Sequence, residues 1–245
     1  MSQSPGRSAG RYSQTEIARL CATLFGATPL EGQCRAWAAR EPRFAAFLDS
    51  YQTKIGKKLR GVGDEAGYLD LLAELDVAHR LLRDRGFTLI YEPTLAQKER
   101  GPDFAVVFKT HIPCNVEVRR LRPSTGDLAS RLLGVLADKL RQAPPSVPNV
   151  LALADGPALA SAEPVAVALR ALAALASAGD DAACRRWGFA GARDLQRRME
   201  RLSAVALLAS AILWEHPRAR HPLPPDLRKA LAQTLADAGS QPNAR

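Results

Sequence analysis

The stretch GPDFAVVFKTHIPCNVEVRRLRP, residues 101–123, places charged residues inside two short apolar runs. Asp103 heads the run DFAVVFK, and Glu117 and Arg119 lie within the run NVEVRRL. Both runs are too short for a helix and rich in β-branched or aromatic residues, which predicts two strands separated by a break at residues 112–113. The sequence therefore places two acids in a region that otherwise has the composition of buried sheet.

The period of two along a strand separates these acids from their apolar neighbours. Glu117 and Arg119 point to one face of their strand, and Val116 and Val118 point to the other. Asp103 likewise lies opposite the phenylalanines of its own run. Two carboxylates on neighbouring strands repel each other unless a cation lies between them, and Mg²⁺ and Mn²⁺ prefer carboxylate oxygens. Asp103 and Glu117 are therefore candidate ligands of Mg²⁺ or Mn²⁺.

Helical and strand-like segments flank this pair in a regular order. Apolar residues recur every three or four positions over 67–85, which predicts an amphipathic helix, and FTLIYEP at 87–93 predicts a strand directly after it. Residues 126–142 again have helical periodicity, and the continuous apolar run NVLALA at 149–154 predicts a buried strand. The predicted order is helix, three strands, helix, strand.

The rest of the chain extends this α/β region on both sides. Residues 13–60 are predicted to form an N-terminal helical extension, and 64–236 an α/β domain. The ends, 1–12 and 238–245, are rich in Gly, Ser, Pro or Asn and are predicted to be disordered. Further predicted elements are helices at 163–178, 191–201 and 224–235, and a fifth strand at 203–213.

Composition limits the class of protein. No apolar stretch of the 245 residues reaches the ~18 needed to span a bilayer. The first residues show no secretory signal, and the four cysteines are scattered. These features predict a cytoplasmic protein that does not bind membranes. The chain has no Walker-type phosphate loop, dinucleotide glycine fingerprint or Gly-x-Ser-x-Gly elbow.

The net positive charge of the chain indicates that its partner is a polyanion. Lys and Arg outnumber Asp and Glu by 34 to 25, a net charge of +9, which favours nucleic acid as a partner. The excess is largely arginine in an Ala- and Leu-rich chain, which is also compatible with a purely compositional origin. The densest lysine patch is predicted to contact nucleic acid, and it consists of Lys54, Lys57, Lys58 and Arg60.

Three motifs in this order carry a family resemblance. Glu74 lies in the helix at 67–85, Pro102–Asp103–Phe104 opens the second strand, and Glu117–Val118–Arg119 lies in the third. Over residues 64–155 the chain resembles the PD-(D/E)XK, or restriction-endonuclease-like, nuclease superfamily. The resemblance implies an αβββαβ core with an N-terminal helical extension and extra C-terminal helices.

The resemblance also implies an activity. A divalent metal, Mg²⁺ or Mn²⁺, would be bound by Asp103 and Glu117 with Glu74 as an accessory ligand, and a phosphodiester of DNA or RNA would be hydrolysed, with DNA favoured. The chain departs from the family at Arg119, where the family usually has lysine. Arginine is permanently cationic, so Arg119 can stabilise negative charge but cannot act as a base.

Lys139 offers a second source for the missing lysine. It falls within the apolar arc of the predicted helix at 126–142, with Leu132, Leu136 and Leu140. Two explanations are open: the amine snorkels past the helix end to water, or it crosses to the carboxylates of the neighbouring strands, with Gln142 beside it. The second would make Lys139 a catalytic residue.

Other functions fit the same residues. A nuclease-like fold that no longer cleaves would serve as a nucleic-acid-binding or protein-interaction module. A structural α/β domain would use Asp103 as a turn residue, Glu117 as a salt-bridge partner of Arg119 or Arg120, and Glu74 as a solvated side chain. His79, inside an apolar stripe, is predicted to be a hydrogen-bonded core histidine, with a position facing the site as the alternative.

Overall fold

A computed structural model of the chain describes residues 12–93, 101–122, 127–154 and 159–236. These residues fall into two compact units, one within residues 1–85 and one within 86–245. The described part of the first unit contains α1 Gln14–Phe25, α2 Glu31–Arg40, α3 Pro42–Arg60 and α4 Glu65–Leu82. The described part of the second contains β1 Phe87–Tyr91, β2 Phe104–Phe108, β3 Ile112–Arg120, α5 Leu128–Gln142, β4 Asn149–Ala154, α6 Glu163–Ser177, α7 Asp181–Arg186, α8 Ala192–Met199, β5 Leu202–Leu207, β6 Ile212–Glu215 and α9 Pro225–Ala236.

Local capping explains where the helices of the first unit begin. Ser13 caps α1 in a capping box with Glu16, so that side chain and backbone satisfy each other's hydrogen bonds. Glu41 caps α3, which has Pro42 at its first position, where a missing N–H costs no intrahelical bond. Asp64 caps α4 by accepting a hydrogen bond from the backbone of Gly67. The helices predicted within 13–60 are confirmed.

His79 belongs to the aromatic core of this unit. Its ring stacks on Trp37 with centroids 5.0 Å apart and meets Phe44 edge-on at 5.5 Å. Burial, reinforced by the positive charges of Arg83 and Arg80, lowers the pKa of His79 to about 4. The ring is therefore neutral at physiological pH, as expected for a histidine packed in a core.

The second unit is built on a mixed sheet whose six described strands follow chain order, β1 to β6. β1, β2 and β3 form an antiparallel meander, β3, β4 and β5 run parallel, and β6 returns antiparallel to β5. The parallel pairs require crossovers, and α5 supplies the first while α6, α7 and α8 lie between β4 and β5. The chain is thus an α/β protein, and α4, β1 to β3, α5 and β4 occur in the predicted order.

The predicted alternation of side chains is confirmed in β3. Val116 and Val118 are buried, whereas Glu117 is partly buried and Arg119 is exposed. Glu117 is paired in register with Leu151 of β4, so both point to the same face of the sheet. On that face the leucines of β4 form one hydrophobic core with the buried faces of α5, α6 and α8. The helix bearing Lys139 therefore packs on the same face as Glu117.

The break predicted at residues 112–113 is wrong, because β3 already begins at Ile112. Pro113 pairs with Val107 of β2 without loss of a ladder bond. The N–H of Asn115 points away from β2, toward the carbonyl of Pro148. Backbone N–H groups two residues apart on a strand point to the same side, so the nitrogen of Pro113 also faces away from β2. On that side β4 begins to pair only at Asn115, so the missing N–H of Pro113 costs no bond of the sheet.

The single strand predicted over 203–213 is also wrong. β5 ends at Leu207 and β6 starts at Ile212, and the two strands form an antiparallel hairpin. Ala211 in the connecting turn has φ of +59°, a conformation that residues other than glycine adopt mainly in turns. The turn contains no glycine, proline or asparagine, so the usual signal for a hairpin was missing from the sequence.

The remaining predicted boundaries are close to those observed. α5, predicted over 126–142, begins at Leu128 and is capped by Asp127. The predicted tails 1–12 and 238–245 lie outside the described residues, apart from Tyr12, whose hydroxyl donates to Asp49 at 3.1 Å. The short helix α7 was not predicted. Within the described ranges no helix combines the length and the apolar character needed to cross a membrane.

Candidate functional site

Asp103 and Glu117 meet where β2 and β3 lie side by side. The antiparallel register pairs Phe104 with Val116, and continuing it by one residue places Asp103 opposite Glu117. The backbone N–H of Asp103 donates to Glu117 Oε2 at 3.2 Å, and the N–H of Val118 donates to Asp103 Oδ2 at 2.8 Å. Each acid is therefore held by the backbone of the other acid's strand, and the predicted convergence of this pair is observed.

Lys139 reaches Glu117 from α5. Its Nζ donates to Glu117 Oε1 and lies 3.5 Å from Gln142 Oε1, and the residue is only 8% exposed. Two explanations were open for a lysine on the apolar arc. The structure shows the second, in which the amine crosses from the helix to a carboxylate of the neighbouring strand, that of Glu117. An ammonium group has three N–H donors, and among the described residues only Glu117 and Gln142 accept from it. One donor thus has no partner in that part of the chain.

Gln142 is positioned in turn by its own helix. Its Nε2 donates to Asp138 Oδ2 at 3.1 Å, one helical turn earlier. This leaves the amide oxygen of Gln142 facing Lys139, which requires an acceptor. Gln142 is therefore the companion of Lys139 that the sequence analysis expected.

The electrostatics of Glu117 combine opposing effects. Burial raises the pKa of Glu117, and the negative charge of Asp103 raises it further. The Lys139 ammonium acts in the opposite direction but does not fully offset these two effects. The ionised form of Glu117 is thus less stable in the folded protein than in water, which is typical of functional carboxyls.

This raised pKa predicts a pH-dependent stability in the absence of metal. Between the ordinary value of 4.5 and the raised folded-state value, the native state retains a proton that the unfolded state releases, so Glu117 makes stability fall as pH rises through that interval. We expect the free energy of unfolding of Glu117→Gln, relative to that of the wild type, to increase as pH rises and to become constant above the folded-state pKa of Glu117. Urea unfolding of both proteins at a series of pH values in EDTA measures this difference. A difference that does not change with pH would contradict the prediction.

A small cavity adjoins the acid–lysine pair. Its volume is about 30 Å³, and Asn115, Glu117, Lys139, Gln142 and Asn149 contribute its polar wall. Such a space holds about one water molecule, which needs polar partners of the kind found here. A nucleotide base does not fit inside it, so any polymeric substrate would lie across its mouth.

Arg119 does not take part in this cluster. It lies two residues beyond Glu117 on the same face of β3, is exposed, and forms no hydrogen bond or ion pair with the described part of the chain. Glu117 therefore pairs with Lys139 rather than with Arg119 or Arg120. A guanidinium at this place is available to an external anion, but its catalytic role stays a prediction.

Glu74 has a different partner from the one expected. It is buried in α4, and Lys58 of α3 donates to both its oxygens, at 2.7 and 2.6 Å. This ion pair compensates a carboxylate that would otherwise be costly to bury. Within the described ranges no three His, Cys, Asp or Glu side chains lie close enough to hold a metal ion. The role of Glu74 as a third ligand stays a prediction.

The predicted basic patch is divided by the structure. Lys57 and Arg60 are exposed at the end of α3, whereas Lys58 is occupied by Glu74 and Lys54 lies over the Tyr51 ring, 5.7 Å from its centroid. Two of the four cations thus have interactions within the protein. Lys57 and Arg60 are the members of the patch that present most of their charge to solvent.

Asn149, at the start of β4, was missed by sequence reasoning. It is 6% exposed, and its Nδ2 lies within hydrogen-bond distance of the carbonyls of Pro144, Val147 and Arg201, at 2.8, 3.0 and 2.9 Å. Its Oδ1 accepts from Asn115 at 3.0 Å. The available signal was a polar residue opening an apolar strand directly after a proline-rich loop. Asn149 fixes that loop, whose residues Ala143 and Pro144 line the cavity.

Comparisons with protein-family models, with curated proteins and with solved structures gave no match. The function of the site is therefore inferred from the chemistry of its own residues. That chemistry comprises two interlocked carboxylates, a buried lysine and a neighbouring exposed arginine.

Proposed function

We propose that the protein is a divalent-metal-dependent nuclease that hydrolyses a phosphodiester bond of DNA or RNA, with a core of the restriction-endonuclease-like type. The observation that carries the proposal is the meeting of Asp103 and Glu117 across β2 and β3, with the Lys139 amine donating to Glu117. Two acids and a lysine are the side-chain types of the PD-(D/E)XK resemblance, here with the lysine on α5 instead of β3.

The donor set fits Mg²⁺ or Mn²⁺. Mg²⁺ is usually bound through one or two carboxylates, with water and substrate phosphate as its other ligands. Asp103 Oδ1 has no hydrogen-bond partner among the described residues, and repulsion between the two acids favours a cation beside them. A bound divalent ion would lower the pKa of an attacking water and neutralise phosphate charge.

The chain's own residues would divide the remaining tasks. Lys139 lowers the pKa of Glu117 and orients its Oε1, and the ammonium donor that has no partner among the described residues is available to a phosphate oxygen. Arg119, exposed on the same face, would add positive charge without exchanging a proton. The net charge of +9 supports a nucleic-acid substrate, DNA before RNA.

Cleavage assays test the proposal directly. We expect the purified chain to degrade DNA or RNA in millimolar Mg²⁺ or Mn²⁺ and to be inactive in EDTA. Metal-dependent cleavage that persists in the double variant Asp103→Asn with Glu117→Gln would show that the activity does not depend on these two carboxylates and would overturn the proposed site. Absence of metal-dependent cleavage of single- and double-stranded DNA and RNA would overturn the proposal.

Thermal stability provides a second test, which detects metal binding independently of cleavage. A ligand that binds only the native state raises the free energy of unfolding, by about 2.7 kcal/mol at a hundredfold excess over Kd. We expect Mg²⁺ or Mn²⁺ to raise the melting temperature of the wild type but not that of the double variant. Equal melting of the wild type with and without metal would count against a formed site.

A binding module without catalysis is the second candidate. It is favoured by one observation: Lys139 already pairs with Glu117, which reduces the need for a metal ion between the two acids. Binding of nucleic acid without cleavage, and without stabilisation by metal, would decide for this module.

A further inference from the structure

Four arginines gather near the C-terminal end of α5. This arginine surface consists of Arg197, Arg198, Arg201 and Arg220. Arg198 Nη1 donates to the carbonyl of Arg141, and Arg201 Nη1 donates to that of Ala143 at 3.1 Å. The backbone N–H of Arg220 donates to the carbonyl of Glu200 at 2.6 Å, which brings Arg220 beside Arg201.

Helix capping explains only half of this surface. Carbonyls at a helix C-terminus carry partial negative charge, and arginines stabilise them. This accounts for the partly buried Arg198 and Arg201 but not for Arg197 and Arg220, which are exposed. The guanidinium of Arg220 forms no hydrogen bond or ion pair with the described residues, and that of Arg197 contacts only the carbonyl of Arg193, at 3.3 Å.

The surface is also poorly neutralised. Burial lowers the pKa of Arg201, and the positive charges of Arg198, Arg197 and Arg220 lower it further. Asp194 opposes this effect, but its carboxylate is bonded to Arg198 at 3.1 and 3.3 Å. Like charges held together without sufficient counter-charge favour an external polyanion.

We infer that the arginine surface binds the phosphate backbone of the nucleic acid, with Arg197 and Arg220 making the contacts that an incoming strand can reach. The inference rests on the proposed function. Ala143, which Arg201 contacts, lies four residues after Lys139, about one helical turn, and both line the same cavity. A strand held by these arginines would therefore run close to the candidate site.

The test compares two charge-matched double variants. Arg197→Gln with Arg220→Gln removes the exposed half of the surface. The control, Arg170→Gln with Arg228→Gln, removes two exposed arginines that pair with Glu163 and Glu215. Affinity for a double-stranded DNA oligonucleotide is measured in EDTA over a range of salt concentrations, so that no metal-dependent cleavage interferes.

Each phosphate contact contributes about 0.9 to the slope of log affinity against log salt for duplex DNA. We expect the first variant to lower the magnitude of the slope by about two and the control to leave it nearly unchanged.

Equal slopes for the two variants, or no DNA binding by the wild type at low salt, would overturn the inference. Arginine-dependent binding without cleavage in Mg²⁺ would overturn only the proposed nuclease. Cleavage in Mg²⁺ with an unchanged slope would overturn only the arginine surface.

Discussion

Replacing Lys139 with methionine is expected to lower metal-dependent cleavage by about 10²–10³-fold, the usual cost of removing one preorganised hydrogen-bond donor from a catalytic site. Methionine keeps the length and most of the volume of the lysine stem, which is buried beside Leu136 and Leu140. The variant therefore removes the ammonium without opening a large cavity in α5. Cleavage rates at saturating metal measure the effect.

A second readout separates an electrostatic role from a structural one. The ammonium of Lys139 lowers the pKa of Glu117, so its removal leaves the raising effects of burial and Asp103 unopposed. A carboxylate must be ionised to bind metal, and we expect the metal-dependent cleavage of Lys139→Met to rise at higher pH than in the wild type. A merely destabilised fold would not shift this profile.

Two control variants separate the effect of the positive charge at position 139 from the effect of removing a lysine elsewhere. Lys139→Arg keeps the positive charge and should restore the wild-type pH profile in part. Lys229→Met, on the exposed face of α9, should leave cleavage unchanged. Cleavage by Lys139→Met at the wild-type rate would exclude Lys139 from the chemistry and would return the cationic role to Arg119.

The acid–lysine cluster was predictable because two periodicities meet there. The period of two along β3 fixes which face Glu117 occupies, and the helical period of α5 places Lys139 on the arc that packs on this face. A lysine on that arc either reaches water or finds a partner, and Glu117 is an acid on the facing sheet. Local patterns were sufficient here because both elements belong to one βαβ crossover.

Contacts that depend on tertiary structure alone were not predictable. Glu74 was expected at the metal, but Lys58 on a different helix takes both its oxygens, and no periodicity links positions in α3 and α4. Of the arginines that cap α5, Arg198 comes from α8 and Arg201 from the turn between α8 and β5, more than fifty positions away in the chain. The β5–β6 turn was missed for another reason, because Ala211 adopts its positive φ in a turn that contains no glycine, proline or asparagine.

Asn149→Leu is expected to lower the free energy of unfolding by about 3 kcal/mol, since a buried acceptor left without its donor costs about 1–3 kcal/mol. The substitution keeps the number and branching of the side-chain heavy atoms and removes the amide that lies within hydrogen-bond distance of the carbonyls of Pro144, Val147 and Arg201. Urea unfolding at constant pH measures the change. The bond from the backbone N–H of Asn149 to Ser203 Oγ survives, so the start of β4 stays attached to β5.

Asn115→Ala provides the matched control for this prediction. Within the described ranges the side chain of Asn115 makes one hydrogen bond, to Asn149 Oδ1, and the residue is only partly buried, so its loss should cost about 1 kcal/mol. The difference between the two variants isolates the carbonyls of the loop between α5 and β4, where Ala143 and Pro144 line the cavity beside Lys139. If Asn149→Leu costs no more than Asn115→Ala, water must satisfy these carbonyls and the loop is not held by Asn149. If the cost is as large as expected, cleavage by Asn149→Leu should also fall, because the wall of the site and the end of α5 lose their common attachment.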